Sequence, residues 1–239
     1  MESEENSASG ERGQNSISKW QNNKSLYQVL GAIAYGELKA YEGAKELADL
    51  TVDRDASATY KKFAAQELRH HKGFVKRLAA LGADPERAMK PFVDSLNQYH
   101  AKEGGNEIQN AVWSFLGEGI ASDLLRWLKE VVDTDTADFI DTVLKDESQH
   151  EKYAEEKLRQ LIDRSLISKL RAAIAAREML FRMTSAGGVK SASFLAFLRL
   201  GQAHKLVAYL STGYLKRLNN LGLTIYGNTA KKISSLKAA

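Results

Sequence analysis

Two short motifs, Glu67-Leu68-Arg69-His70 and Glu147-Ser148-Gln149-His150, constrain this chain more than any other feature. In each, a carboxylate and an imidazole stand three residues apart. On an α-helix that spacing places both on one face, within reach of a single metal ion. Each motif follows a lone glutamate in an apolar stretch: Glu37 in Gly36-Glu37-Leu38, and Glu118 in Gly117-Glu118-Gly119. The separations nearly match, with 30 residues from Glu37 to Glu67 and 29 from Glu118 to Glu147.

Such spacing predicts two antiparallel helix hairpins. Residues level with one another are equidistant from a turn, which puts the turns near residue 52 and between residues 132 and 133. Both positions fall on breaks, Thr51-Val52-Asp53-Arg54-Asp55 and Val132-Asp133-Thr134-Asp135-Thr136, where Asp and Thr can cap the helix that follows. The halves also repeat: Glu37 to Glu118 is 81 residues, Glu67 to Glu147 is 80 and His70 to His150 is 80. Gly82 to Gly105 is too long for a hairpin loop, and its Asp84-Pro85-Glu86 suits a helix start. About 20 residues can run the ~35 Å length of a bundle and restart the third helix from the opposite end.

The expected architecture is therefore all-α: a four-helix bundle of two antiparallel hairpins joined by a long crossover, followed by two more helices. Only two prolines in 239 residues agree with few interruptions. The first helix starts at Ser25; the others are expected near Asp55–Leu81, Asn106–Val132 and Thr136–Asp163. The inward stripe of the third is read as Ala111, Ser114, Glu118, Ala121 and Leu125. Mid-helix glycines at 117 and 119 cost about 1 kcal/mol each relative to Ala, which fits either close approach beside Glu118 or tight helix packing. Further helices are expected at Ser165–Thr184 and Ser191–Leu221, the latter with Phe194, Phe197, Leu198, Val207, Leu210 and Tyr214 as its apolar positions. They pack on the bundle or on a second copy in a homodimer. The domain reading is a polar arm at 1–24, the di-metal bundle at 25–163, a basic helical extension at 164–227 and a basic tail at 228–239.

Four glutamates converging in a core repel one another and lose hydration, a cost that demands compensation. Two divalent cations would cancel their charge. Carboxylate oxygens with one imidazole per metal suit iron or manganese better than copper or zinc. The absence of cysteine excludes disulfides, thiolate-bound zinc and iron–sulfur clusters. The candidate ligands are thus Glu37, Glu67, His70, Glu118, Glu147 and His150. Around them, Asp146 is a candidate to orient an imidazole and Tyr41, one turn from Glu37, to donate a hydrogen bond; a solvated acid and an ordinary core tyrosine are the competing readings. His71, His100 and His204 are read as structural.

One Glu from each of two helices and a Glu-x-x-His from each of the others resembles the ferritin-like di-iron and di-manganese carboxylate superfamily over residues 25–163. Within it, Ala34-Tyr35-Gly36-Glu37, Gly82-Ala83-Asp84-Pro85 and Gly117-Glu118-Gly119-Ile120-Ala121 resemble ferritin-like proteins similar to a tRNA hydroxylase acting on methylthio-isopentenyl-adenosine. That likeness implies two iron ions, with manganese or a mixed pair as alternatives, and Glu67 and Glu147 as bridges. It further implies a non-haem di-iron monooxygenase or hydroxylase that activates dioxygen, draws electrons from an external reductase and acts on a modified tRNA nucleoside. A ferroxidase or peroxidase with the same ligands is one alternative. Another is an RNA-binding protein with a structural di-metal site, because residues 164–239 hold 13 Lys and Arg against one acid while residues 1–163 hold 21 against 29. The acidic start lacks a signal-peptide core and no uncharged run reaches the ~20 residues of a membrane span, so a cytoplasmic location without membrane contact is expected.

Overall fold

The computed structural model of the chain describes residues 24–101, 105–185, 198–200 and 203–224. Most of the expected polar arm, the break at Gly187-Gly188, the helix start at Ser191 with Phe194 and Phe197, and the basic tail lie outside them. Among the described residues the regular structure is helical, with no strand. The long helices are α1 (Lys24–Leu50), α2 (Arg54–Ala80), α5 (Glu107–Leu128) and α6 (Thr134–Ile162). Between α2 and α5 run α3 (Pro85–Met89), a 3₁₀ turn (Lys90–Phe92) and α4 (Val93–His100). Two further helices, α7 (Leu166–Ser185) and α8 (Ala203–Asn220), follow α6. No described helix is long and apolar enough to cross a membrane.

The helix ends are written in the sequence. Asp53 accepts a hydrogen bond from the Ala56 amide at 2.7 Å, Asp84 caps α3 through the Glu86 and Arg87 amides, and Asp133 accepts from the Thr136 amide at 3.0 Å. At the far end of α2, Gly82 takes φ +80°, a conformation that costs glycine nothing, and the Gly82 and Ala83 amides close on the Ala79 and Leu78 carbonyls. The crossover is more helical than Asp84-Pro85-Glu86 alone suggested, since α4 extends it to His100.

The contacts divide the chain into two interleaved units. The first joins α1 to α4 with the start of α6, residues 134–143. Its hairpin is fastened along its length: Ser57 Oγ donates to Ala48 O at 2.7 Å, His71 Nδ1 to Ala34 O at 2.7 Å, and Tyr27 OH to Leu81 O at 3.0 Å. All three pairs are centred within two residues of Val52, where equal spacing from the glutamates placed the turn. Arg77 bonds Asp133 at 2.8 Å and Thr136 at 3.0 Å, and the Phe74 ring stands edge-on to Phe139 at 5.0 Å.

The second unit gathers residues 107–127 of α5, residues 144–162 of α6, α7 and α8. Its core includes Val112, Phe115 and Leu116 from α5, Leu158 and Ile162 from α6, Ala172, Ala176 and Met179 from α7, and Tyr214 from α8. Here the α5 stripe departs from expectation: Ser114 and Ala121 are exposed, while Phe115, Leu116, Ser122 and Asp123 are buried. Apolar residues surround this helix, so periodicity alone could not single out its inward face. On α8, likewise, Val207 is exposed and the buried stripe runs through Leu206, Tyr214, Arg217 and Leu221.

Gly31 of α1 lies so close to α3 that an added Cβ would come within 2.4 Å of the Ala88 carbonyl carbon and oxygen, whereas Gly43 has nothing within 4 Å. Because backbone cannot yield as a side-chain tip can, Gly31→Ala should lower stability by about 1–3 kcal/mol. Gly43→Ala should raise it by up to about 1 kcal/mol through helix propensity. Urea unfolding of the two variants checks the contrast, and equal effects would contradict this packing of α1 on α3.

Candidate metal centre

Each unit carries one carboxylate–imidazole triad. In the first, α1 supplies Glu37 and α2 supplies Glu67 and His70, one potential ligand atom from each lying within 4.8 Å of the others. His70 Nδ1 stands 3.3 Å from Glu37 Oε2 and 3.4 Å from Glu67 Oε2. Glu67 and His70 are buried at 4% and 1% exposure; Glu37 is half-buried. The three-residue step from Glu67 to His70 turns the helix ~300°, which puts both on the side facing α1. The nearby His71–Ala34 hydrogen bond fixes the slide of α2 along α1 at this level.

In the second unit, α5 supplies Glu118 and α6 supplies Glu147 and His150, again with ligand atoms within 4.8 Å of one another. His150 Nδ1 lies 3.7 Å from Glu147 Oε2; Glu147 and His150 are each 3% exposed and Glu118 is half-buried. In both triads the Nδ1 edge of the imidazole faces a carboxylate. Were a cation held among these donors, Nδ1 would be the nitrogen offered to it, and the ring proton would sit on Nε2.

Within each unit, three of the six expected ligand residues, two carboxylates and one imidazole, thus lie together. Hard oxygen donors with a single nitrogen fit a divalent iron or manganese ion, and carboxylates this enclosed gain most from a cation among them. Of the other expected residues, Tyr41 on α1 and Asp146 on α6 are half-buried, and Asp146 is not among the clustered donors. His71 makes the backbone bond described above, and His204 is exposed on α8.

Spacing did not reveal the ion network beside the second triad. Arg217 of α8, only 6% exposed, donates from Nη1 to Asp123 Oδ2 at 2.6 Å, from Nη2 to Asp123 Oδ1 at 3.2 Å and from Nε to Glu151 Oε1 at 2.7 Å. Asp123, 4% exposed, also accepts from Arg126 at 2.8 Å. Burial alone would lower the Arg217 pKa, but the hydrogen bonds and charges of Asp123 and Glu151 outweigh it and raise the value above the usual arginine range. An added Cβ on Gly119 would lie 1.9 Å from Arg217 Nε, which explains this mid-helix glycine by packing. A signal was present: Arg217 occupies a stripe position three residues after Tyr214 and four before Leu221, and Asp123 sits amid apolar residues of α5.

A family model described as the ferritin-like domain of actinomycetes matches residues 20–198. Among solved structures, one titled "Protein 19 with aldehyde deformylating oxidase activity from Synechococcus" matches with a TM-score of 0.64 at 22% identity, covering 92% of this chain and 97% of that one. At that identity the likeness establishes a shared fold. No curated protein matches the chain.

If the triads bind cations, adding manganous ion to chelator-stripped protein should raise its melting temperature. At 100 times Kd each site contributes about 2.7 kcal/mol, and a domain of this size shifts roughly 2–4 °C per kcal/mol. His150→Ala should lose most of the increment belonging to its triad. Differential scanning calorimetry with and without the ion measures both, and a wild type indifferent to manganese would refute the metal assignment.

Proposed function

Since this chain belongs to the family of ferritin-like domains of actinomycetes, we propose that it is an oxidative enzyme that holds two iron ions on the residues of its two triads. The carrying observation is the donor chemistry: two carboxylates and one imidazole, largely enclosed, in each unit. The near-equal sequence offsets of 81, 80 and 80 residues between corresponding residues support reading the two triads as equivalent, with the same role. Manganese or a mixed pair would satisfy the same donors.

The reduced metal pair would supply electrons to dioxygen for oxidation of an organic substrate. Glu37, Glu67, Glu118 and Glu147 offer the negative charge that holds two cations, and His70 and His150 each present Nδ1. Burial of Glu67, His70, Glu147 and His150 limits water at those side chains, which would strengthen their hold on a cation. Cysteine, and with it any thiolate-bound electron-transfer cluster, is absent from the chain, so an external reductase is the electron source in this reading.

Hydroxylation of a modified tRNA nucleoside is supported by the short motifs around Glu37 and Glu118 and by the basic composition after residue 163. A second reading, oxidation of an aldehyde, is favoured by the activity named for the Synechococcus structure. The deciding experiment loads anaerobically purified protein with ferrous ion and supplies dioxygen, a reducing system and either total tRNA or a medium-chain aldehyde. Two irons per chain and substrate-dependent oxygen consumption are expected, with oxidised nucleosides or aldehyde-derived products resolved by mass spectrometry. Glu118→Gln should lower turnover at least ten-fold, the scale of perturbing a metal ligand's surroundings. Iron uptake ending in mineral, with neither substrate oxidised, would instead identify iron storage.

A further inference from the structure

We propose that Arg217 is a positioning residue for the second triad, so that α8 is a working part of the metal site. This rests on reading Glu118, Glu147 and His150 as ligands. The Arg217 guanidinium touches both ligand-bearing helices of that unit at once, binding Asp123 of α5 through its two terminal nitrogens and Glu151 of α6 through Nε. Glu151 directly follows His150, about 100° further round the helix. A roll of α6 that moved the imidazole would therefore pull Glu151 off the arginine and break a charge-assisted hydrogen bond. Asp123 comes five residues after Glu118, about 140° round α5, so the same guanidinium also fixes that helix's azimuth.

The fit leaves little slack. Gly119, next to Glu118, lies against the guanidinium, where a Cβ would come 1.9 Å from Nε. Gly213, one turn before Arg217 on α8, leaves room for the Asp123 carboxylate, which would lie 1.9 Å from an added Cβ. A solvated basic helix would turn this arginine to water, as it does the neighbouring Lys216, which is exposed. Lysine could not replace the arginine, because one ammonium cannot span two carboxylates as a planar fork does.

Anaerobic manganese titration, followed by electron paramagnetic resonance, tests the assignment on the wild type, Arg217→Lys and Tyr214→Phe. Tyr214→Phe is the control: it removes another anchor of α8, the 2.9 Å bond from Tyr214 OH to Ala176 O. The expected result is two ions in wild type and in Tyr214→Phe. In Arg217→Lys one ion should bind about 10- to 100-fold more weakly, as when an outer support of a ligand is lost, with helical circular dichroism unchanged. Should Arg217→Lys not fold, Glu151→Gln is judged by the same outcomes. Wild-type affinity for both ions in the variant overturns the positioning role alone. So does weakening of both variants in proportion to their melting temperatures. A wild type that binds no manganese overturns this inference together with the metal reading.

Discussion

Removing carboxylates from water is the constraint on which this structure depends. Glu67 and Glu147 are almost fully enclosed, each beside an imidazole on its own helix and near a third donor from another. An isolated buried carboxylate would carry a desolvation cost that a domain of ordinary stability could not absorb. The helices around each triad are accordingly fastened by directional contacts as well as apolar burial.

Those contacts differ between the units. In the first, His71 binds the Ala34 backbone close to Glu37, and Arg77 ties α2 to Asp133 and Thr136 at the start of α6. In the second, a buried guanidinium serves two carboxylates. Truncating one member of such a network leaves buried charge less compensated, which is why these ion pairs matter more than the exposed ones along α6 such as Lys152–Glu156. The small side of α7, with Ala172, Ala175 and Ala176, then brings α7 close to the core of its unit.

Much of the fold could be read before any coordinates. Equal distances from Glu37 and Glu67 to a break, and from Glu118 and Glu147 to another, located both turns because antiparallel helices rise at the same rate per residue. Aspartates at 53, 84 and 133 marked three helix starts, since their side chains satisfy amides that the first turn leaves open. The inward face of α5 could not be read, because a helix apolar on every side has no periodic signal; Ser114 and Ala121, expected inside, are exposed. In the charge count of residues 164–239 Arg217 is one of 13 cations, because composition records charge without its partner.

Sequence alone thus determined the helical class, the turn positions and the two sets of candidate ligand residues, all of which follow from local periodicity, capping and spacing along one chain. The burial of each set, the azimuth of α5 and the pairing of Arg217 with Asp123 and Glu151 were decided by tertiary structure. Asp123 and Arg217 are 94 residues apart, and only packing of distant segments could show that one charge answers the other.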